Sequence, residues 1–213
     1  MKNMSVLALA AFAGAASGQN LLSNAGFEMA LNYDGNSVGN WNAFFGGADF
    51  QQAEVVDPLG SSPAAAPTEG ALALQIGTFN TSDTFVGVVQ NVGGIAAGTE
   101  YTFSFDARQV VQNGAFVEFR IEWLDSGGNF VGGQFDLNTG ITGSLTDAFQ
   151  GFSLSAVAPV GAVAANAVIA AQTFGSNAPF EGFFQFDNAS FIPAPGAAAA
   201  FGLVGLAATR RRR

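Results

Sequence analysis

The residues YTFSFDAR at 101–108 and AFVEFRIEWL at 115–124 show the clearest secondary-structure pattern of the chain. In the first, Tyr101, Phe103 and Phe105 alternate with polar residues. In the second, every odd position from 115 to 123 is apolar. Alternation with a period of two is typical of antiparallel strands that bury one face. The sequence therefore predicts two neighbouring half-buried strands, with polar side chains on the face opposite the apolar one.

Several further strand candidates surround these two. They lie at residues 71–76, 85–92, 149–156, 167–173 and around 184–191. Turn-forming residues separate the runs at 97–99, 113–114 and 125–129, and a loop rich in Ser and Pro covers residues 61–67. Many short strands at regular spacing predict an all-β fold, an antiparallel β-sandwich of the jelly-roll type.

The composition excludes several kinds of chemistry. The 213-residue chain has no His and no Cys, which excludes Ser-His-Asp and Cys-His catalysis, zinc sites built on His or thiolate, and disulfides. Hydrophobic residues make up 49% of the chain and charged residues 11%, so a packed core is expected rather than disorder. Stability must come from packing, and a metal could bind only through oxygen.

The charge distribution bounds the partners. All 16 acidic residues lie between Glu28 and Asp187, a span that holds only two basic residues, Arg108 and Arg120. Such an acidic surface repels nucleic acid and anionic lipid. Divalent cations and neutral ligands such as sugars remain as expected partners.

Residues 1–18 have the layout of a secretory signal peptide. Lys2 precedes an apolar run from Val6 to Ala16, which small residues up to Gly18 follow. The alternative is a buried N-terminal helix, which the shortness of the run disfavours. We expect cleavage after Gly18 and a single folded domain at residues 19–192.

Residues 193–213 combine Pro-rich punctuation, a short apolar stretch from Ala197 to Ala208 and four arginines. This layout resembles the PEP-CTERM sorting signals of Gram-negative bacteria, with Ala194 in the place of the usual Glu. The resemblance implies recognition by an exosortase, transient membrane contact through this segment, and delivery to the cell surface or extracellular matrix. An ordinary tail anchor is the alternative, and both interpretations predict export.

The domain itself resembles the carbohydrate-binding modules of families four and nine, which are galactose-binding-like jelly rolls. The resemblance rests on the order of NLLSNAGFE at 20–28, EGALAL at 69–74, QNV at 90–92, AGTEYTFSFDAR at 97–108 and FDNASF at 186–191. It implies the same fold and a sugar ligand. Fold alone does not fix function, however.

The resemblance also implies a structural calcium ion. In the family's fold the first and last strands meet, which would bring Glu28 and Asp187 together as calcium ligands. Calcium takes 6–8 oxygen ligands, and an acidic domain gains from a cation. The alternative is that both carboxylates cap turns or face solvent.

A candidate sugar site lies on the polar face of the two strands quoted above. Its residues are Asp106, Arg108, Glu118, Arg120 and Glu122. Carboxylates and guanidinium groups hydrogen-bond sugar hydroxyls, and an aromatic ring stacks on the apolar sugar face. Trp41 and Tyr33, in a segment rich in Gly and Asn, are the expected rings. The alternative is a solvated face with Arg–Glu cross-strand pairs.

These features predict a secreted, non-catalytic protein that binds polysaccharide, its own exopolysaccharide among the candidates. The first alternative is a structural protein of a matrix or surface layer without a sugar site, which the scarcity of Trp and Tyr favours. A glycoside hydrolase is the second alternative. It would need two carboxylates at a set separation, and no local motif singles out such a pair.

Overall fold

The structure is a computed structural model, and it describes residues 18–32, 40–47, 50–80, 84–137, 144–173 and 180–194. The predicted signal peptide before Gly18, Tyr33, and the apolar stretch and arginines of the predicted sorting signal lie outside the described residues. Among the described residues, none of the helical structure could serve as a transmembrane span.

Ten strands and one short 3-10 helix make up the described chain. They are β1 Asn42–Gly46, β2 Phe50–Val56, the 3-10 helix Pro58–Gly60, β3 Ala73–Asn80, β4 Thr84–Gly93, β5 Glu100–Asn113, β6 Phe116–Leu124, β7 Phe130–Leu137, β8 Gln150–Val157, β9 Ala164–Thr173 and β10 Phe180–Pro193.

The strands form two five-stranded antiparallel sheets. Sheet A has the order β1-β4-β9-β6-β7, and sheet B has the order β2-β3-β10-β5-β8. The predicted all-β jelly-roll sandwich is confirmed. The N-terminal segment joins sheet B at its last strand, where Leu21 N–H donates to the carbonyl of Phe191 at 2.9 Å.

Aromatic side chains from both sheets meet in the core. The Phe105 ring of β5 lies 4.9 Å from the Phe119 ring of β6, edge to face, and 5.5 Å from the Phe186 ring of β10. Phe103 lies 6.2 Å from Phe119. All four residues are almost fully buried. Because the aromatic residues alternate with polar ones along their strands, these rings all point into the space between the two facing sheets. We call this ring cluster the inter-sheet seam.

The two most regular strands are not neighbours in a sheet, and this corrects an expectation. β5 pairs with β10 and β8 in sheet B, whereas β6 pairs with β9 and β7 in sheet A. Their apolar residues face each other across the core. Their polar residues therefore point out of opposite sides of the sandwich, and the single polar face expected from the sequence is two separate faces.

The sequence did not predict three of the strands, namely β1, β2 and β7. β1 and β7 are the edges of sheet A, and β2 is an edge of sheet B. β1 and β2 carry mixed, partly buried side chains instead of a clean alternation. Edge strands contact one neighbour only, so their sequences are less constrained by burial.

Removing the Phe105 ring tests the importance of the inter-sheet seam. We expect Phe105→Ala to lower the free energy of unfolding by about 3–5 kcal/mol, because a buried aromatic ring is lost and a cavity remains. Denaturant unfolding measures the change. The control Leu59→Ala removes an exposed side chain from the 3-10 helix and should cost less than about 0.5 kcal/mol. Equal effects of the two variants would contradict the assigned core.

Candidate functional site

A groove of about 410 Å³ runs across the outer face of sheet A. Side chains of four strands line it: Phe44 of β1, Phe85 and Val89 of β4, Arg120 and Glu122 of β6, and Asn166, Val168, Ala170 and Gln172 of β9. We call this feature the sheet A groove. Its lining combines aromatic rings, small apolar side chains and hydrogen-bonding groups, which is the usual make-up of a ligand site.

Two phenylalanine rings form one end of the sheet A groove. The Phe44 and Phe85 rings lie 6.1 Å apart with their planes tilted by 48°. Phe85 is 46% exposed. It stands opposite Gly46 in the strand pairing, and a Cβ at Gly46 would overlap its ring. The missing side chain therefore lets the ring lie close against the sheet, where its remaining surface faces solvent.

A triad of charged residues from β6 forms the other end. Arg120 Nη1 donates to Glu118 Oε1 and Arg120 Nε donates to Glu122 Oε1, each at 2.6 Å. Burial, the largest contribution, lowers the pKa of Arg120, but the hydrogen bonds and charges of Glu118 and Glu122 outweigh it and raise that pKa. The guanidinium stays charged and fixed in place. Because it carries five N–H donors, donors remain for a ligand.

The charged triad continues as a hydrogen-bonded row across three strands. Asn166 Nδ2 donates to Glu122 Oε2 at 3.0 Å, and Asn91 Nδ2 donates to Asn166 Oδ1 at 3.0 Å. The strand register places these residues side by side on β6, β9 and β4. The row holds its polar groups in fixed positions before any ligand arrives, which reduces the entropy cost of binding.

Trp41 does not present its ring to solvent. It is fully buried, its ring centroid lies 5.2 Å from that of Phe27, and its Nε1 donates to the carbonyl of Asn24 at 3.2 Å. The expectation of an exposed stacking ring at Trp41 is therefore wrong. The Gly- and Asn-rich segment around it suggested a loop, but the indole anchors that segment to the core instead.

Arg108 is also a structural residue rather than a sugar contact. It is fully buried, and its guanidinium donates to the carbonyls of Pro58, Pro63 and Asp147 and to Gln185 Oε1 at 2.9–3.3 Å. Burial lowers the pKa of Arg108, and the charge of Asp147 acts in the opposite direction. The expected binding role is wrong because the chain around Pro58 and Pro63 covers this position.

Asp106 lies on the outer face of sheet B, away from the charged triad. Its Oδ2 accepts a hydrogen bond from Asn188 Nδ2 at 3.1 Å. It lines a shallower recess of about 300 Å³ together with Ser104, Ser153 and Asn188. Of the five predicted polar site residues, only Glu118, Arg120 and Glu122 come together.

The sequence reasoning missed seven of the nine residues that line the groove. Four of the seven carry its rings and amides, namely Phe44, Phe85, Asn166 and Gln172. One signal was available for Phe85. It is out of phase with the buried Val86 and Val88 of the same strand, so its ring must point outward. Asn166 and Gln172 are likewise out of phase with the small buried residues of β9. Because β9 has no alternating aromatic residues, its outward positions were not recognised from the sequence.

Glu28 and Asp187 both bind the segment at residues 68–72. Glu28 Oε1 accepts N–H bonds from Ala71 and Leu72 at 2.9 Å each. Asp187 Oδ2 accepts hydrogen bonds from Thr68 N, Thr68 Oγ1 and Glu69 N at 2.7–3.1 Å. Burial raises the pKa of the Asp187 carboxyl, although the hydrogen bonds oppose this. The two carboxylates therefore hold one loop against the start and end of the domain.

The chemistry of this cluster fits calcium only in part. Its side-chain ligands are all oxygen, as calcium prefers. In the part of the chain that the structure describes, however, no three Asp or Glu side chains meet closely enough to hold a metal. Calcium held by Glu28 and Asp187 would need backbone carbonyls for its other ligands.

The sequence matches no known family profile and no curated protein. Among solved structures, the chain is similar to a family 4 carbohydrate-binding module (15% identity, 81% of this chain and 99% of that chain, TM-score 0.52). It is also similar to the xylan-binding CBM22-1 domain of Paenibacillus barcinonensis Xyn10C (16% identity, 85% and 98%, TM-score 0.52). The chain has the jelly-roll fold of these modules. Identities this low establish the fold alone.

The enzymatically active domain of tailspike protein 4 from bacteriophage CBA120 is similar as well, at 16% identity and a TM-score of 0.58 over 82% of this chain. The chain spans about a fifth of that protein's length. The fold is therefore shared by binding modules and by parts of larger enzymes.

The structural role of Arg108 can be tested by substitution. We expect Arg108→Met to lower the free energy of unfolding by more than about 3 kcal/mol, because it leaves several buried acceptors without a donor. Arg108→Lys keeps the charge but loses the planar guanidinium. We therefore expect it to lower the free energy of unfolding less than Arg108→Met does, but still measurably. Thermal and urea unfolding measure both. Wild-type stability of Arg108→Met would contradict the buried network.

Proposed function

We propose that this protein is a non-catalytic carbohydrate-binding protein that holds polysaccharide in the sheet A groove. The observation that carries the proposal is the pairing, in one groove, of the Phe44–Phe85 rings with the fixed charged triad around Arg120. The jelly-roll fold shared with solved carbohydrate-binding modules supports it.

Binding would divide between the two ends of the groove. The rings of Phe44 and Phe85 would stack on the apolar face of a sugar ring, and Arg120, Glu122 and Asn166 would hydrogen-bond its hydroxyls. Val168 and Ala170 line the floor between them. A charge-assisted hydrogen bond contributes about 1.5–3 kcal/mol, so a few contacts give reversible binding of modest affinity.

The charged triad argues against glycoside hydrolysis. A hydrolase of the usual kind needs one neutral carboxylic acid that donates a proton to the leaving group. Glu118 and Glu122 instead both accept hydrogen bonds from the same guanidinium, and Glu118 is buried. Because one guanidinium engages both carboxylates, the triad does not present them as two separate groups on opposite sides of a sugar bond.

A second candidate is a structural matrix protein without a sugar site. The specific observation in its favour is that both tryptophans, Trp41 and Trp123, are buried. The outer surface therefore has no indole ring for stacking. In that case the Phe rings of the groove would only cover glycine positions of the sheet.

The predicted signals at the two ends support a proposed location. We propose export through the segment at residues 1–18, recognition of residues 193–213 by an exosortase, and delivery to the cell surface or matrix of a Gram-negative bacterium. At the cell surface or in the matrix, a polysaccharide-binding domain would meet its ligand. Loss of surface delivery on deletion of residues 193–213 tests this assignment.

Binding to polysaccharide tests the proposed function directly. The purified chain is incubated with insoluble xylan, cellulose and starch, and with their soluble forms in affinity electrophoresis. We expect retention on a subset, and at least tenfold weaker binding by Phe85→Ala, since tenfold corresponds to about 1.4 kcal/mol and a lost ring contact exceeds this. Phe130→Ala, an exposed ring outside the groove, is the matched control. Failure of the folded wild type to bind any glycan would select the structural alternative.

Calcium binding at Glu28 and Asp187 stays a proposal with its own test. Because a bound cation stabilises the folded state by mass action, calcium at a hundredfold excess over its Kd should raise the Tm by roughly 5–10 °C relative to chelator. Glu28→Gln should lose most of this response, and Glu100→Gln, an exposed carboxylate elsewhere, should keep it. An identical wild-type Tm in calcium and in chelator would leave the carboxylates as hydrogen-bond acceptors only.

A further inference from the structure

The outer face of sheet B repeats the arrangement of the sheet A groove with different residues. On sheet B, the Phe50 ring of β2 lies 6.4 Å from the Phe183 ring of β10, with the planes tilted by 42°. The corresponding values for Phe44 and Phe85 on sheet A are 6.1 Å and 48°. Phe50 is 53% exposed, and Phe79, its cross-strand partner on β3, is 48% exposed. We call Phe50, Phe79 and Phe183 the sheet B platform.

A glycine again lets a ring lie flat against the sheet. Phe183 pairs with Gly77 of β3, and a Cβ at Gly77 would overlap the Phe183 ring. The ring therefore covers the backbone of the neighbouring strand with one face. This is the same close approach that Gly46 allows for Phe85 on the other sheet.

A hydrogen-bonded polar row lies two residues along the strands from the Gly77–Phe183 pair. Gln185 Nε2 donates to Gln75 Oε1 at 2.8 Å and to Ser61 Oγ at 2.7 Å, and Gln185 Oε1 accepts from the buried Arg108. Gln75 Nε2 reaches Glu54 Oε1 at 3.4 Å. Gln185 is fully buried and holds the row in place, whereas Gln75 and Glu54 are only partly buried. Two residues along a strand span about 7 Å, so a ligand on the rings reaches Gln75 and Glu54. A recess of about 420 Å³, lined by Gln75, Glu181 and Phe183, lies beside it.

The charges of this face select an uncharged ligand. Glu54, Asp57 and Glu181 lie along it, and its one basic side chain, Arg108, is fully buried. A uronate or sulfate group would meet carboxylates without an accessible cation, which costs free energy. Sugar hydroxyls, in contrast, pair with amide and carboxylate groups.

We infer that the sheet B platform and its polar row form a second glycan site, so that one chain bridges two segments of uncharged polysaccharide. This inference rests on the proposed function for the ligand class. It goes further because two sites on opposite faces of a rigid sandwich cannot both engage one short stretch of glycan. The protein would therefore cross-link polysaccharide strands, with avidity set by the spacing of the two sites.

Binding stoichiometry tests the second site. Xylohexaose, cellohexaose and maltohexaose are titrated into the full chain by calorimetry, with Phe50→Ala and Phe85→Ala as matched variants on the two faces. We expect two hexasaccharides per wild-type chain and one per chain of each variant, the lost site being weakened at least tenfold. Thermal melting checks that each variant is folded, and Glu181→Gln, which keeps the rings, should weaken the sheet B site without affecting the sheet A groove.

Cross-linking is read in the same proteins with the matching soluble polysaccharide. The wild-type protein should raise the viscosity of the polysaccharide solution. Each variant should still bind one hexasaccharide but should raise the viscosity by less than half as much. One hexasaccharide per wild-type chain, lost only in Phe85→Ala, would overturn the second site and leave the proposed function intact. A wild-type dimer that Phe50→Ala dissociates, with one hexasaccharide per chain, would overturn it in favour of a self-association surface. No hexasaccharide bound at all would count against the proposed function itself.

Discussion

The contact between the Phe105 and Phe119 rings, at 4.9 Å across the core, is the constraint from which the rest of the structure follows. It fixes β5 and β6 in opposite sheets with their apolar faces inward. Because side chains alternate along a strand, the polar residues of these two strands must then point out of opposite sides of the sandwich. The two outer faces, each with one of the domain's two arginines, are a consequence of this seam.

The two arginines show how surroundings decide the role of one residue type. Arg108 and Arg120 both sit on outward positions of long strands. The chain around Pro58 and Pro63 covers Arg108, and the guanidinium donates hydrogen bonds to the backbone carbonyls of this segment. Arg120 is held between two carboxylates, and part of its side chain is exposed. Because one arginine is covered and the other is partly exposed, the outer face of sheet A carries a fixed cation, whereas the sheet B face carries amides and carboxylates.

Alternation in the sequence was enough to predict the fold class, since Tyr101, Phe103, Phe105 and the odd positions from 115 to 123 occupy the core as their period requires. It could not show which sheet each strand joins, because that depends on contacts between strands, such as Phe105–Phe119, which the alternation within one strand does not reveal. For the site, the triad at Glu118, Arg120 and Glu122 was visible as like-facing charges on one strand. Phe44 was not, because it lies on an edge strand without alternation, and the burial of Trp41 depends on Phe27, which no local pattern links to it.

We propose that glycan binds on the outer face of sheet A through the Phe44–Phe85 rings and the Arg120 triad. The most direct measurement is an NMR titration of the isotopically labelled chain with a hexasaccharide that the polysaccharide panel identifies. We expect the largest shift changes at Phe85, Arg120 and Asn166, on three adjacent strands, and no change at Trp41 Nε1–H in the core. Changes centred on Trp41, or none on β4, β6 and β9 at saturating hexasaccharide, would contradict it.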